Sequence, residues 1–214
     1  MPHVSDRLLL VLHGLKIKGL AEPDAIASVV ASDSSIVADV LVGLVAAGHV
    51  ARRDGRISGF VLTSPGRAFH SVLLASDVEA SGQRDLVHAR YREFLMLNGE
   101  LVAVCTAWQV KDLATNLRND HADDVYDAAV VARLATLHAR VEPICDSLET
   151  AMMRYGGYRS RFGRALSRVR NGEREWFATP ILDSYHTVWM ELHDDLLATL
   201  AIERAMEGGE ATEV

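Results

Sequence analysis

The stretch from Pro23 to Arg67 constrains the fold most tightly, because two helix signals, a hairpin signal and a helix start follow one another in it without a gap. Pro23 suits a first helical position, where its missing N–H costs nothing, and Ile26, Val29 and Val30 follow as an apolar face. Ala31 to Asp33 reads as a turn. The next helix opens at Ser34 or Ser35, directs Ile36, Val40, Leu41, Leu44 and Val45 inward, and is released at Gly48. His49 to Arg53 and Arg56 to Leu62 read as two strands about Asp54-Gly55, a dipeptide that tolerates the positive φ of a tight turn. Thr63 then begins a helix with Pro65, Gly66 and Arg67 in its first turn. Upstream, Ser5 is the expected N-cap of an apolar helix through Leu8, Leu9, Val11, Leu12 and Leu15, which Gly14 helps to end before a short edge strand at Lys16 to Lys18.

Helix, turn, helix, hairpin, helix is the order of a winged helix-turn-helix. Ala46-Ala47-Gly48-His49-Val50, Arg52-Arg53-Asp54-Gly55-Arg56 and Leu62-Thr63-Ser64-Pro65-Gly66-Arg67 resemble winged-helix transcription regulators of the MarR type, over about the first third of the chain. The resemblance implies a homodimer that binds double-stranded DNA. The N-terminal residues of the recognition helix, Ser34, Ser35 and Ala38 or Asp39, would face base edges, and Arg52, Arg53 and Arg56 of the wing would reach phosphate or the minor groove, with Arg67 at phosphate. The chain departs from that pattern in one respect. Its recognition helix carries no Lys or Arg, Asp33 and Asp39 oppose phosphate, and serines read bases weakly, so a winged helix used for protein contact is the alternative.

The net charge of -7 disfavours a nucleic-acid partner until its distribution is considered. Residues 1 to 76 hold 7 Lys/Arg against 6 Asp/Glu, whereas the remainder holds 15 against 23, so the acidity lies in the second part. No apolar run has the length of a membrane span and no secretory leader is legible, which gives a cytoplasmic expectation with no membrane partner. Cys105 and Cys145 stand alone, without metal or disulfide spacing, and are expected to be buried, inert thiols.

Beyond Ser76 the chain reads as helical. Ser76 to Gln83 is polar and small, like a linker or loose helix, and Asn98-Gly99 is expected to break the helix that begins at Arg84. Leu101 to Val110 is nearly all apolar and calls for burial; Asn116 to Asp124 is a polar loop. Tyr126 to Leu148 carries Val130, Leu134, Leu137 and Val141 at helical spacing, with Pro143 as a kink or boundary, and Pro180 to Leu200 continues the pattern. The expected organisation is therefore mainly α: a winged domain at 1–76, an all-α dimerisation or ligand-sensing domain at 77–207, and a disordered tail at 208–214. Trp108-Gln109, Asn119-Asp120-His121 and Asp183-Ser184-Tyr185-His186-Thr187-Val188-Trp189 resemble a helical domain attached to winged helices in regulator-like proteins, a resemblance that implies no activity.

One basic cluster stands out in this half: Arg154, Arg159, Arg161, Arg164, Arg168, Arg170 and Arg174, interleaved with Tyr155, Tyr158 and Phe162. Guanidinium forks match phosphate and carboxylate, which makes Arg159, Arg161 and Arg164, with His121 and His186, the candidate residues for a small anionic ligand. Pairing with the surplus acids of the same half is the competing and safer expectation. His186-x6-His193 is not the His-Glu-x-x-His pattern, and the Asp120/His121/Asp123/Asp124 cluster has no established metal spacing, so no metal or cofactor is expected. No Gly-rich phosphate loop or GxSxG elbow occurs. An enzyme dependent on metal or an anion in the helical half is the weakest reading.

Overall fold

A computed structural model describes residues 1–203. The protein is mainly helical, with two small antiparallel two-stranded sheets among the described residues. In chain order come α1 (Arg7–Lys18), α2 (Pro23–Val30), α3 (Ser34–Ala46), β1 (Val50–Arg53), β2 (Gly59–Leu62), α4 (Ser64–Ser81) and α5 (Arg84–Gln109). They are followed by β3 (Val110–Asp112), β4 (Leu117–Arg118), α6 (Asp124–Ala151), α7 (Gly156–Arg170) and α8 (Tyr185–Leu200). No single helix among the described residues is long and apolar enough to cross a membrane.

The chain divides into two compact units, with the divisions falling inside α5, α6, α7 and α8. The first comprises Met1–His88, Leu148–Gly157 and the described residues from Glu191 onward; the second comprises Ala89–Ser147 and Tyr158–Met190. The expected boundary at 76/77 thus falls inside α4, which runs on to Ser81 and is capped by Gly82. The tail expected at 208–214 lies outside the described residues.

In the first unit, α1, α2 and α3 close over Val11, Leu12, Leu15, Ile26, Val37, Leu41 and Leu44, and β1–β2 adds Val50 and Leu62. Helix α1 differs from expectation at both ends. Its N-cap is Asp6, whose carboxylate accepts from the Leu8 N–H, while Ser5 donates to Asp77 instead. Gly14 does not end the helix but lies buried within it, where a Cβ would come 2.7 Å from Ile26 Cγ2, so α2 packs against bare backbone there. The expected strand at Lys16 to Lys18 is the last turn of α1. Helix α2 starts at Pro23 and α3 at Ser34 behind the cap Asp33, both where expected. Val37 takes the core position of α3, whereas Val45 is 41% exposed.

The hairpin pairs Val50 with Leu62 and Arg53 with Gly59, so Arg56, Ile57 and Ser58 belong to a loop rather than to the second strand. Thr63 caps α4 and ties its start to the preceding turn, donating from Oγ1 to the Gly48 carbonyl at 2.7 Å. Gly66 permits the close approach: a Cβ at that position would lie 1.9 Å from the His49 carbonyl oxygen.

In the second unit, Asn98-Gly99 does not interrupt α5, because Phe94, Leu97, Leu101, Val104 and Trp108 keep one face buried throughout, which outweighs the roughly 1 kcal/mol cost of a helical Gly. Only part of the apolar Leu101 to Val110 run is covered; Val102 remains 64% exposed. Pro143 lies inside α6, which continues through it. Trp189 stacks on Phe94 and donates its indole N–H to Asn98 at 2.7 Å, and Trp108 stacks on Phe177 with centroids 4.3 Å apart.

Candidate functional site

The residues expected to touch DNA lie on α3, the hairpin and the start of α4, and their local partners sort them into engaged and disengaged groups. Ser34 is half-buried and donates to Asp24, while exposed Ser35 turns back on its own cap, donating to Asp33 from both its N–H (2.8 Å) and its hydroxyl (2.7 Å). These bonds hold Asp33 below the usual carboxylate range. Ala38 is half-buried, and the exposed residues that follow on α3 are Asp39, Val42, Gly43, Val45 and Ala46, with Val42 72% exposed and no cation among them. Arg52 is committed internally: it donates to both Glu22 oxygens at 2.9 and 3.1 Å and to Asp54 at 3.1 Å, and lies 5.1 Å over the Phe60 ring. Arg53 and Arg56 are exposed and have no carboxylate partner among the described residues. Arg67 donates to the Leu62 carbonyl at 2.8 Å, which fixes its guanidinium beside the first turn of α4.

A cleft of about 780 Å³ opens where the end of α1, the hairpin and the start of α4 meet, with Lys16, Arg53, Arg67, Thr63 and Ser64 among its lining residues. Lys16 had no place among the sequence candidates. Its position depends on α1 extending beyond Gly14, which the local pattern did not indicate.

A second group missed from sequence is wholly buried. His13 sits with Nε2 2.9 Å from Asp195 Oδ1 and Nδ1 3.0 Å from His70 Nε2, while Arg154 donates to Asp195 at 2.5 Å, to Tyr155 at 2.9 Å and to Thr199. Burial works against the Asp195 charge, but Arg154 and His13 override it and hold the carboxyl well below its usual range. The His70 ring is pushed down to about 3, chiefly by burial, so it is neutral at neutral pH. The charges in this cluster are matched within the fold, which makes it a structural tie between α1, α4 and the two later stretches of the first unit. His70 and Thr199 also border a cleft of about 430 Å³.

The candidate anion residues of the second unit do not converge. Arg161 is buried and forms a bidentate pair with Asp183 at 3.0 Å through both Nε and Nη2, and Arg159 pairs with Asp146 at 2.7 Å. Arg164 is exposed, and His186 is half-buried, with its pKa lowered by burial. His121 is held by Asp127 at 2.8 Å and by the Trp108 ring, and borders a cleft of about 590 Å³ with Arg118 and Arg174. The other four candidates are not among its lining residues. Among the described residues no group of three or more His, Cys, Asp or Glu is placed to hold a metal ion. Cys145 is buried as expected, whereas Cys105 is half-buried; desolvation pushes the Cys105 thiol up to about 11 and that of Cys145 up to about 12, so neither is a nucleophile at neutral pH.

No protein-family model matches the chain, and neither a curated protein nor a solved structure does so.

Proposed function

We propose that the protein is a DNA-binding transcription regulator of the cytoplasm, not an enzyme, whose first unit contains a winged helix-turn-helix. The observation that carries this reading is the succession α2, α3, β1–β2, α4, with Arg53 exposed on β1, Arg56 exposed in the loop between the strands, and neither paired with a carboxylate among the described residues. A cation that spends no interaction inside the fold is available to displace counterions from a phosphate backbone. Arg52, tied to Glu22 and Asp54, positions the hairpin instead. A homodimer would present two such units to half-sites about 34–36 Å apart, and a small anionic ligand of the helical half would act by binding the two spacings unequally.

The test is anisotropy of a labelled duplex from the region upstream of the protein's own coding sequence, against a scrambled duplex, at about 50 and 200 mM salt. Specific, salt-dependent binding that weakens in Arg53→Ala/Arg56→Ala, with the salt slope reduced by about 2, is the expected result. Binding no better than to scrambled DNA overturns it. One observation favours a second reading: the outer face of α3 offers Val42 and Val45 rather than cations, which suits a protein partner. That reading expects Val42→Asp to abolish partner binding while the hairpin arginines are dispensable.

A further inference from the structure

The cleft at the end of α1 collects cations from three separate elements: Lys16 from α1, Arg53 from β1 and Arg67 from α4. We propose that it is a binding site for a phosphate group, a role that does not depend on α3 reading DNA. Strand alternation sorts the neighbouring arginines of the hairpin. Arg52 goes to Glu22 and Phe60, whereas Arg53 shares the face of Ala51 and Val61, both of which line the cleft. Arg67 is held in place by the Leu62 carbonyl at 2.8 Å and by the Ser64 hydroxyl at 3.4 Å, bonds that use two of its five N–H donors. Lys16 and Arg53 have no ion pair among the described residues, and none of the residues lining the cleft carries a carboxylate.

Three like charges around one opening repel each other until an anion enters. A single carboxylate would leave most of that charge uncompensated. A phosphate, with about -1.5 to -2 charge and three acceptor oxygens, meets both the charge and the donor count. The Ser64 hydroxyl stands at the same wall, while Leu20, Ala51 and Val61 leave part of the lining apolar. In a chain of net charge -7, this opening is a local reversal of sign, the condition under which an anion is drawn to one place. That group is the terminal phosphate of a free phosphorylated molecule, or its charge is supplied jointly by successive diesters of a nucleic-acid backbone, each of which carries one negative charge.

Calorimetric titration of the full chain with pyrophosphate tests the site, using the wild type, Lys16→Glu, Arg53→Glu and, outside the cleft, Arg56→Glu. All three positions are exposed, and thermal melts verify that each variant is folded. Saturable binding to the wild type and to Arg56→Glu, weakened roughly tenfold or more in Lys16→Glu and Arg53→Glu, is the expected result. No heat at millimolar pyrophosphate, or equal affinity in all four proteins, overturns the proposal. A labelled duplex of random sequence then identifies the source. Displacement of the duplex by pyrophosphate, together with loss of affinity in Lys16→Glu, assigns the site to a nucleic-acid backbone; pyrophosphate binding that leaves DNA unaffected assigns it to a free phosphorylated molecule. Because Lys16 lies outside the hairpin, failure of the DNA reading leaves the pyrophosphate result intact.

Discussion

At Gly66 the backbone of His49 leaves room for a hydrogen and nothing larger, since a Cβ would sit 1.9 Å from a carbonyl oxygen that cannot swing aside. Gly66→Ala is expected to lower stability by about 3 kcal/mol or more, read from the urea midpoint. Gly43, on the exposed side of α3 with open space around it, is the converse: Gly43→Ala is expected to raise stability by about 0.5–1 kcal/mol. The buried histidine pair makes a pH prediction with a definite sign. His70 is pushed down to about 3 by burial first, then by His13, Lys16 and Arg154, with Asp195 opposing. Unfolded, the ring takes up a proton near 6.5 that the folded ring refuses, so stability is complete above that pH and declines as pH falls toward 3. The slope from this group is at most about 1.4 kcal/mol per pH unit, and His70→Gln is expected to flatten it in urea titrations between those limits. Asp195 is the depressed case: its contribution is present above the unfolded carboxyl pKa near 3.9 and is lost only in more acid solution.

Elements whose signals are local were legible in the sequence, and those decided by distant contacts were not. Pro23 at a helix start, Asp33 to Ser35 at another, Gly48 as a stop and Thr63 as a cap each act within a few residues of themselves, and each stands where the chain alone placed it. Gly14 and Asn98-Gly99 were misread because packing, not propensity, settles them: α2 lies against the first, and the buried face of α5 carries the helix through the second. The candidate site divides in the same way. The exposure of Arg53 and Arg56 follows from a hairpin that is visible in the sequence, but the tie between Arg52 and Glu22 joins residues thirty positions apart and has no local signature. That tie makes a prediction for the hairpin. Glu22→Gln removes an acid and one of the two carboxylates that hold Arg52, leaving Asp54, so DNA affinity is expected to rise and its salt slope to steepen by up to about 0.9, measured by anisotropy; an unchanged slope would mean that Arg52 still faces no phosphate.

Across the whole molecule, the first unit is assembled from three separated stretches of chain. Lys18 pairs with Glu191 at 2.8 Å, the His3 N–H donates to the Ala151 carbonyl at 2.9 Å, and His13 has its partners at Arg154 and Asp195. A fragment ending at His88 retains the helices and hairpin proposed to meet DNA but loses all of these partners. It is expected to melt without a cooperative transition and to bind a hydrophobic dye, whereas residues 1–203 together melt as a folded protein. Nothing local in the sequence marks Leu148–Gly157 or the end of α8 as belonging with the start of the chain. During synthesis the consequence is a delay. At about 5–20 residues per second the ribosome takes roughly 5–20 s to pass from His88 to Glu191, and through that interval the nascent N-terminal helices wait without the Glu191 and Asp195 partners of Lys18 and His13, open to chaperones.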